Sequence, residues 1–513
     1  MNTFKRKALF AAVVAGLGAA GSAEAVFIAP NRVGQALVFP YYTVQNSGTN
    51  SWNTYISVVN TTPEVQAVKV RILEGRTSSE VLDFNLWLSP NDVWTAAIIP
   101  SDATDGSAGK LITADVSCTA PAIPAGGAVF RNTKYASQAA GLGRGLDRTR
   151  EGYIEMIEMA SFSVDSAGGI GAAVTHVNGV PDDCTVVQTN ATAAIIADAI
   201  PTGQTGGLTG TGTLINVNNG MDAGYKPDAL EAFDANPGTD YSGPGSTSPS
   251  LANPFPTASV FFNSGYSPIG SGFFATVYRQ DYAGGSVVTA GAQATASVFM
   301  HQSVMNEYVL DTVSASLTDW VVTQPIKSAF VTTATAAAPY SNALTSSGAC
   351  ETVNFSYFDR EERGAAAGGI DFSPLPAAGA PNSICWESTV ISIRNGAGHM
   401  PTDANSGVLG SRNTTSISIT DTFQNGWARL DFVGPQATGV GLVSAGTSTQ
   451  SNLGWGALTI GAGTAGPFAM FGLPVTGFMI RTFSNGTLTC TSGACQGNYA
   501  SLFDHAYANN IIP

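Results

Sequence analysis

Four histidines are present, His176, His301, His399 and His505, and they are the natural general bases of this chain. A serine hydrolase needs one of them beside a nucleophile on a strained turn, and no Gly-x-Ser-x-Gly elbow occurs. His505 follows Asp504 near the end of the chain and reads as part of a surface aromatic cluster with Phe503 and Tyr507. Carboxylates are the second source of chemistry. Glu151, Glu155 and Glu158 lie close together, and a glycosidase requires two carboxyls ~5–10 Å apart across a sugar. On a strand, Glu155 and Glu158 would point to opposite faces, which argues against a dyad. In "FDREERG" (358–364), Asp359, Glu361 and Glu362 alternate with Arg360 and Arg363, the composition of a solvated, self-neutralising turn. No catalytic residue is assigned.

Calcium is the third possibility. "TDANSG" (402–407) presents Asp403 and Asn405, the calcium candidates of this sequence, and "SDATDG" (101–106) presents Asp102 and Asp105. Oxygen-rich turns of this kind bind hard cations in extracellular modules, but the distal glutamate of an EF-hand loop is missing. No other cofactor is implied. Sugar binding would need exposed rings. Trp87 falls on the solvent side of its strand by alternation, and Trp52, Trp94 and Trp427 lie in similar strands; packing is the ordinary role of each.

The elements that must position these residues are strands. In "VLDFNLWLSPNDVWTAAI" (81–98), Leu82, Phe84, Leu86 and Leu88 share one face, and Val81, Asp83, Asn85 and Trp87 share the other. Ser89-Pro90-Asn91-Asp92 fits a type I turn, with "VWTAAII" returning as the next strand. "REGYIEMIEMASFSV" (150–164) reads as a strand, and so do "ASVFFNSG", "GFFATVYRQDY", "ATASVFM", "STVISIRN" and "TSISIT". "KPDALEAF" (226–233) reads as one short helix, with Pro227 in its first turn. Between Thr202 and Thr257 the chain is mostly Gly, Thr, Asn, Pro and Ser, the composition of a long excursion.

Composition agrees. Gly 58 is high, charged residues make up only 11% without a Lys/Arg cluster, and the formal net charge is −14, a poor match for nucleic acid or anionic membrane. A hydrophobic fraction of 44% allows a large core. Lys5, Arg6 and Lys7, the short apolar run from Ala8 to Ala20, and Ala23-Glu24-Ala25 have the form of a cleaved secretory signal at 1–25, giving a chain that begins at Val26. Six cysteines in an exported chain form disulfides, and sequential pairing gives Cys118–Cys184, Cys350–Cys385 and Cys490–Cys495.

Four phrases, "DFNLWLSPNDVWTA" (83–96), "TDWVVTQPIKSAFV" (318–331), "GLPVTGFMIRTFSNG" (472–486) and "NYASLFDHAY" (498–507), resemble an uncharacterised family of exported, β-rich cell-surface proteins of Gram-negative bacteria. The first block also resembles bacterial Ig-like sandwich domains. The resemblance implies an exported surface protein and carries no activity, ligand or site residue with it.

The expectation is an all-β protein of Ig-like or jelly-roll-type β-sandwiches, with long Gly/Ser/Thr-rich loops and few short helices. Its regions are an N-terminal sandwich over 26–200, a loop-rich region with further strands over 201–318, and a C-terminal sandwich over 319–513. Export would end at the cell surface, the medium or the periplasm, with no transmembrane segment after signal cleavage. The function expected is structural or adhesive, with itself, other surface proteins or glycans as partners. A lectin-like module, calcium-dependent or not, is the alternative, and a secreted hydrolase comes last.

Overall fold

The computed structural model describes residues 25–47, 50–102, 107–165, 168–189, 192–201, 206–234, 240–266, 273–285, 288–367, 382–395, 405–419, 423–432, 441–443, 448–453, 463–465, 469–490 and 493–512. The fold is all-β, with stacked, mostly antiparallel sheets and a few short helices. Among the described residues no helix is long and apolar enough to cross a membrane.

The first sheet runs Phe27–Ile28, Asp228–Glu231, Ala36–Thr43, Glu151–Phe162, Val65–Glu74, Glu80–Leu88 and Thr119–Ala120 in spatial order. Facing it, the second runs Ala128–Val129, Gly109–Ile112, Val93–Pro100, Asn50–Asn60, Leu208–Asn216 and Met221–Tyr225. Phe39, Val68, Val70, Ile72, Phe84 and Leu86 from one sheet meet Ile56, Val58, Trp94, Ile98 and Leu214 from the other, the alternating inner faces that a sandwich requires.

A third sheet orders Thr414–Ile419, Ser388–Asn395, Leu317–Thr323, Thr476–Cys490 and Gly493–Asp504; its first pair is parallel. A fourth orders Gly364–Ala367, Asn354–Asp359, Asn425–Asp431, Ser303–Val309 and Ala506–Ala508. Leu317–Thr323 alternates between two interiors. Trp320 and Val322 enter the core between the third and fourth sheets, while Val321 joins Phe478 and Ile480 against Tyr41 and Tyr225 of the first sandwich. The two halves therefore share a continuous apolar interior. Three of the phrases singled out above, at 318–331, 472–486 and 498–507, supply neighbouring strands of the third sheet.

Residues 201–318 do not form a body of their own. Leu208–Asn216 and Met221–Tyr225 complete the second sheet, Asp228–Glu231 inserts into the first, and Ser303–Val309 belongs to the fourth.

Several local expectations are corrected. "KPDALEAF" is not a helix: Asp228–Glu231 is a strand held between Phe27–Ile28 and Ala36–Thr43, and this pairing on both sides outweighs a weak helical preference. "ATASVFM" is not a strand. Its first residues end the helix Ala290–Val298, whose Thr289 N-cap hydroxyl accepts from Ala292 N at 3.1 Å. That helix is buried on nearly every side, so it has no amphipathic period to read. The Ser89–Asp92 turn has Asn91 at φ 58°, the left-handed second position of a type II turn. It also does not join neighbours, because Glu80–Leu88 and Val93–Pro100 lie in opposite sheets.

The expected solvent side of Glu80–Leu88 is covered. Trp87 is fully buried against Phe162 and Tyr241, beside the Cys118 side chain. Asn85 Nδ2 donates to Tyr241 Oη at 3.1 Å and to the Ser242 carbonyl at 2.9 Å. Asp83 Oδ2 accepts from Gly245 N at 2.8 Å and from Lys69 Nζ at 2.6 Å. The end of the stretch read as an excursion, around Tyr241–Gly245, thus lies across this face and covers it.

Cys118 and Cys184 are joined, as are Cys350 and Cys385. The side chains of Cys490 and Cys495 lie outside the described residues, as do residues 1–24 of the expected signal.

Candidate functional site

The clustered glutamates fall on Glu151–Phe162, a central strand of the first sheet that is buried along its whole length. Each carboxylate has a separate, saturated role. Glu151 accepts from Tyr41 Oη at 2.8 Å, from Ser411 Oγ at 2.5 Å, and from the Arg412 and Asn413 amides at 3.0 and 3.2 Å. It thereby ties the third sheet's loop to the first sandwich. Glu155 pairs with Arg71 at 2.8 Å, and Arg71 also holds Glu80 at 3.0 Å. Burial raises the Glu155 carboxyl above the ordinary range, although Arg71 pulls in the other direction. Glu158 sits just before a bulge, accepts from Gly206 N at 2.6 Å, and is pushed up to about 8 by burial. Glu74 shows the opposite balance. Burial alone would raise it, but Arg148 at 2.6 and 2.7 Å and nearby amides hold it low. The three glutamates do not converge on one space, and none forms a dyad across a pocket.

At the 358–364 turn, Asp359 accepts from Arg363 Nε at 2.6 Å and from the amides of Glu361 and Arg363. This is the self-neutralising turn that its composition implies.

Three histidines can be placed, and His399 lies outside the described residues. His176 Nδ1 lies 2.6 Å from Ser89 Oγ and 3.5 Å from Asp92 Oδ2. This constellation has the membership of a triad and the wrong wiring, since serine and aspartate must occupy opposite ring nitrogens for proton relay. His505 is not part of a surface cluster. It stands at the corner where the chain leaves the third sheet (Gly493–Asp504) for the fourth (Ala506–Ala508), and its ring turns inward against Trp320 with centroids 5.4 Å apart. Nε2–H donates to the Val321 carbonyl at 2.9 Å, and Nδ1 accepts from Asn306 Nδ2 at 2.9 Å, so both nitrogens are engaged. Burial lowers its pKa to about 4. His301 is neutral for the same reason, also near 4.

Of the calcium candidates, Asp403 lies outside the described residues, as does Asp105. The Asn405 backbone carbonyl accepts from Arg394 Nη2 at 2.7 Å. Among the described residues no group of three or more His, Cys, Asp or Glu is arranged to hold a metal.

Trp52, Trp87 and Trp94 are buried, but Trp427 is 42% exposed. It belongs to a larger feature. Trp427 stacks on Phe358 at 4.7 Å between centroids, and its register partner across the fourth sheet is Glu307. Directly opposed residues on antiparallel strands share a face. Glu307 bonds Arg481 at 2.9 Å, and the Arg481 guanidinium lies over Phe503 at 5.0 Å and Phe483 at 5.6 Å. Tyr499 is the register partner of Phe483. Tyr499 and Phe503 are 56% and 47% exposed. A strip of aromatic faces, Phe358, Trp427, Phe503, Phe483 and Tyr499, therefore runs across two sheets, with one charged pair set into its middle. Gly426 permits the close approach beneath it, since a Cβ there would collide with the Phe358 carbonyl. Sequence reasoning missed the strip because its members lie far apart along the chain; the signal was present as alternation in "NYASLFDH", where Tyr499 and Phe503 share a face.

No protein-family model, no curated protein and no solved structure matches this chain.

Proposed function

We propose that this chain is an exported, non-catalytic interaction protein that adheres to a surface through the aromatic strip. The observation supporting this reading is that Trp427, Tyr499 and Phe503 of the strip are left exposed across two sheets, while the clustered glutamates of Glu151–Phe162 are engaged inside the fold. Exposed rings grouped on one face are the usual mark of a contact surface. The disulfide pairs Cys118–Cys184 and Cys350–Cys385 suit an oxidising compartment outside the cytoplasm.

Within this reading, an extended glycan is the partner favoured by the strip's chemistry. Sugar C–H faces stack on rings, and the Glu307–Arg481 pair set among them offers acceptors and donors for hydroxyls. The test is co-sedimentation with insoluble polysaccharides (cellulose, chitin, peptidoglycan), together with analytical ultracentrifugation, for the wild type and for Trp427→Ala/Tyr499→Ala/Phe503→Ala. Retention on a polysaccharide that the triple variant loses supports the glycan reading. Self-association that the variant loses supports adhesion between copies. A wild-type monomer retained nowhere, or a variant that behaves identically, overturns the proposal.

A further inference from the structure

The other side of the same C-terminal segment borders a cleft of about 430 Å³. It opens between two sheet edges, the first sheet's Phe27–Ile28 and the fourth sheet's Ala506–Ala508, with the end of the helix Ala290–Val298 beneath. Its size falls within the range of small-molecule pockets, roughly 300–1,000 Å³. The wall is mostly apolar and includes Ile28, Val298, Phe299, Met300, Val304 and Val475.

The polar groups at the rim divide into spent and unspent. Arg32 holds Asp228 at 2.9 Å and Asp504 at 2.7 Å, and Asp228 also accepts from Thr476. Only one cation balances those two carboxylates. Lys226, exposed at the same rim, forms no ion pair among the described residues, so its ammonium is free to bond. Deeper in, His301 lies flat on the Tyr507 ring, centroids 4.1 Å apart. The Asn509 amide nitrogen faces the carbonyls of Met300 and Ala508 at 3.0 and 3.2 Å, and so donates to His301 Nδ1 at 2.8 Å. That fixes the ring proton on Nε2, leaving an N–H donor on a residue that lines the cleft. Because burial keeps this imidazole neutral, the donor is present without a charge that would need its own counter-ion.

From this geometry we infer that the cleft binds a free aliphatic carboxylate of the fatty-acid class, with its chain on the apolar wall and its carboxylate bonded by Lys226 and the His301 Nε2–H. An alkylammonium would lack an acceptor for either donor, and an alcohol would accept from them only in weaker bonds, to an uncharged oxygen. The assignment is independent of the aromatic strip.

The test is isothermal titration of decanoate, decanol and decylamine into the full chain, with Lys226→Glu and His301→Phe as variants. Lys226 is exposed, so its replacement is safe for folding, and circular dichroism checks the buried His301 variant. Expected are saturable decanoate binding, about tenfold weaker binding for decanol and decylamine, and a loss of tenfold or more in Lys226→Glu. If decanoate fails to saturate, if decylamine binds as well, or if Lys226→Glu binds decanoate like the wild type, the assignment is wrong. Unaltered binding in a folded His301→Phe variant would remove His301 from it.

Discussion

Two strand faces in this molecule look alike in sequence and have opposite fates. On Glu80–Leu88, the residues Asp83, Asn85 and Trp87 alternate away from the first sandwich's interior; on the Thr476–Cys490 and Gly493–Asp504 hairpin, Phe483, Tyr499 and Phe503 also point away from it, on the face that Met479 shares. The first face is roofed by the stretch around Tyr241–Gly245, which hydrogen-bonds Asn85 and Asp83 and packs on Trp87. Over the second, Arg481 crosses only between Phe503 and Phe483, and Tyr499 and Phe503 remain exposed. Alternation tells which residues share a face. It does not tell whether another part of the chain will cover that face, and that distinction separates architecture from a contact surface here.

The largest expected effect of breaking this contrast is on stability. Trp87→Ala should lower the unfolding free energy by about 3–5 kcal/mol in urea denaturation, because it empties a packed site against Phe162 and Tyr241. Tyr499→Ala or Phe503→Ala should each change it by less than about 0.5 kcal/mol. Equal losses at the two faces would erase the contrast.

A smaller effect isolates the roof. Asn85→Ala removes both side-chain bonds to Tyr241 and Ser242 and should cost about 1–3 kcal/mol. Amide exchange should speed up first across 240–245. Uniform acceleration throughout the first sandwich would show that the roof does not open by itself.

The buried strand beneath gives a pH signature. Folded Glu158 keeps its proton up to about 8, whereas an unfolded chain releases it near the ordinary carboxyl value of 4.5. Between those values unfolding releases a proton, so this group makes stability fall as pH rises, by at most about 1.4 kcal/mol per unit, and the fall levels off above 8. Glu158→Gln should flatten part of that slope in thermal melts from pH 5 to 8. Glu387, also pushed up to about 8 by burial, and Glu231 and Asp240, pushed up to about 7, keep a slope of the same sign. A slope unchanged by the substitution would mean that Glu158 is charged in the fold.

Much of the architecture was legible in the sequence. Period-two runs marked most strands, and the spacing of the cysteines suggested the two joined pairs. What escaped was decided by distant partners. "KPDALEAF" became a strand because a slot in the first sheet awaited it, and "ATASVFM" became helix because a fully buried helix carries no periodic stripe. The glutamates of Glu151–Phe162 read as carboxylates on opposite faces of a strand, too far apart for a dyad; only the sheets and segments packed on both faces of the first sheet explain why each has its own enclosed partners. The strip was illegible for the same reason, since Trp427 and Phe503 become parts of one surface only through Glu307 and Arg481.

The smallest expected change in stability accompanies the largest expected change in binding, and it is where the account is most exposed. On a glycan microarray, the wild-type chain should bind at least one extended polysaccharide class. Trp427→Ala/Tyr499→Ala/Phe503→Ala, with an unchanged melting temperature, should lose that binding by more than about tenfold. Binding of equal strength by the triple variant, or no binding to any glycan by the wild type, would contradict the glycan reading of the exposed strip.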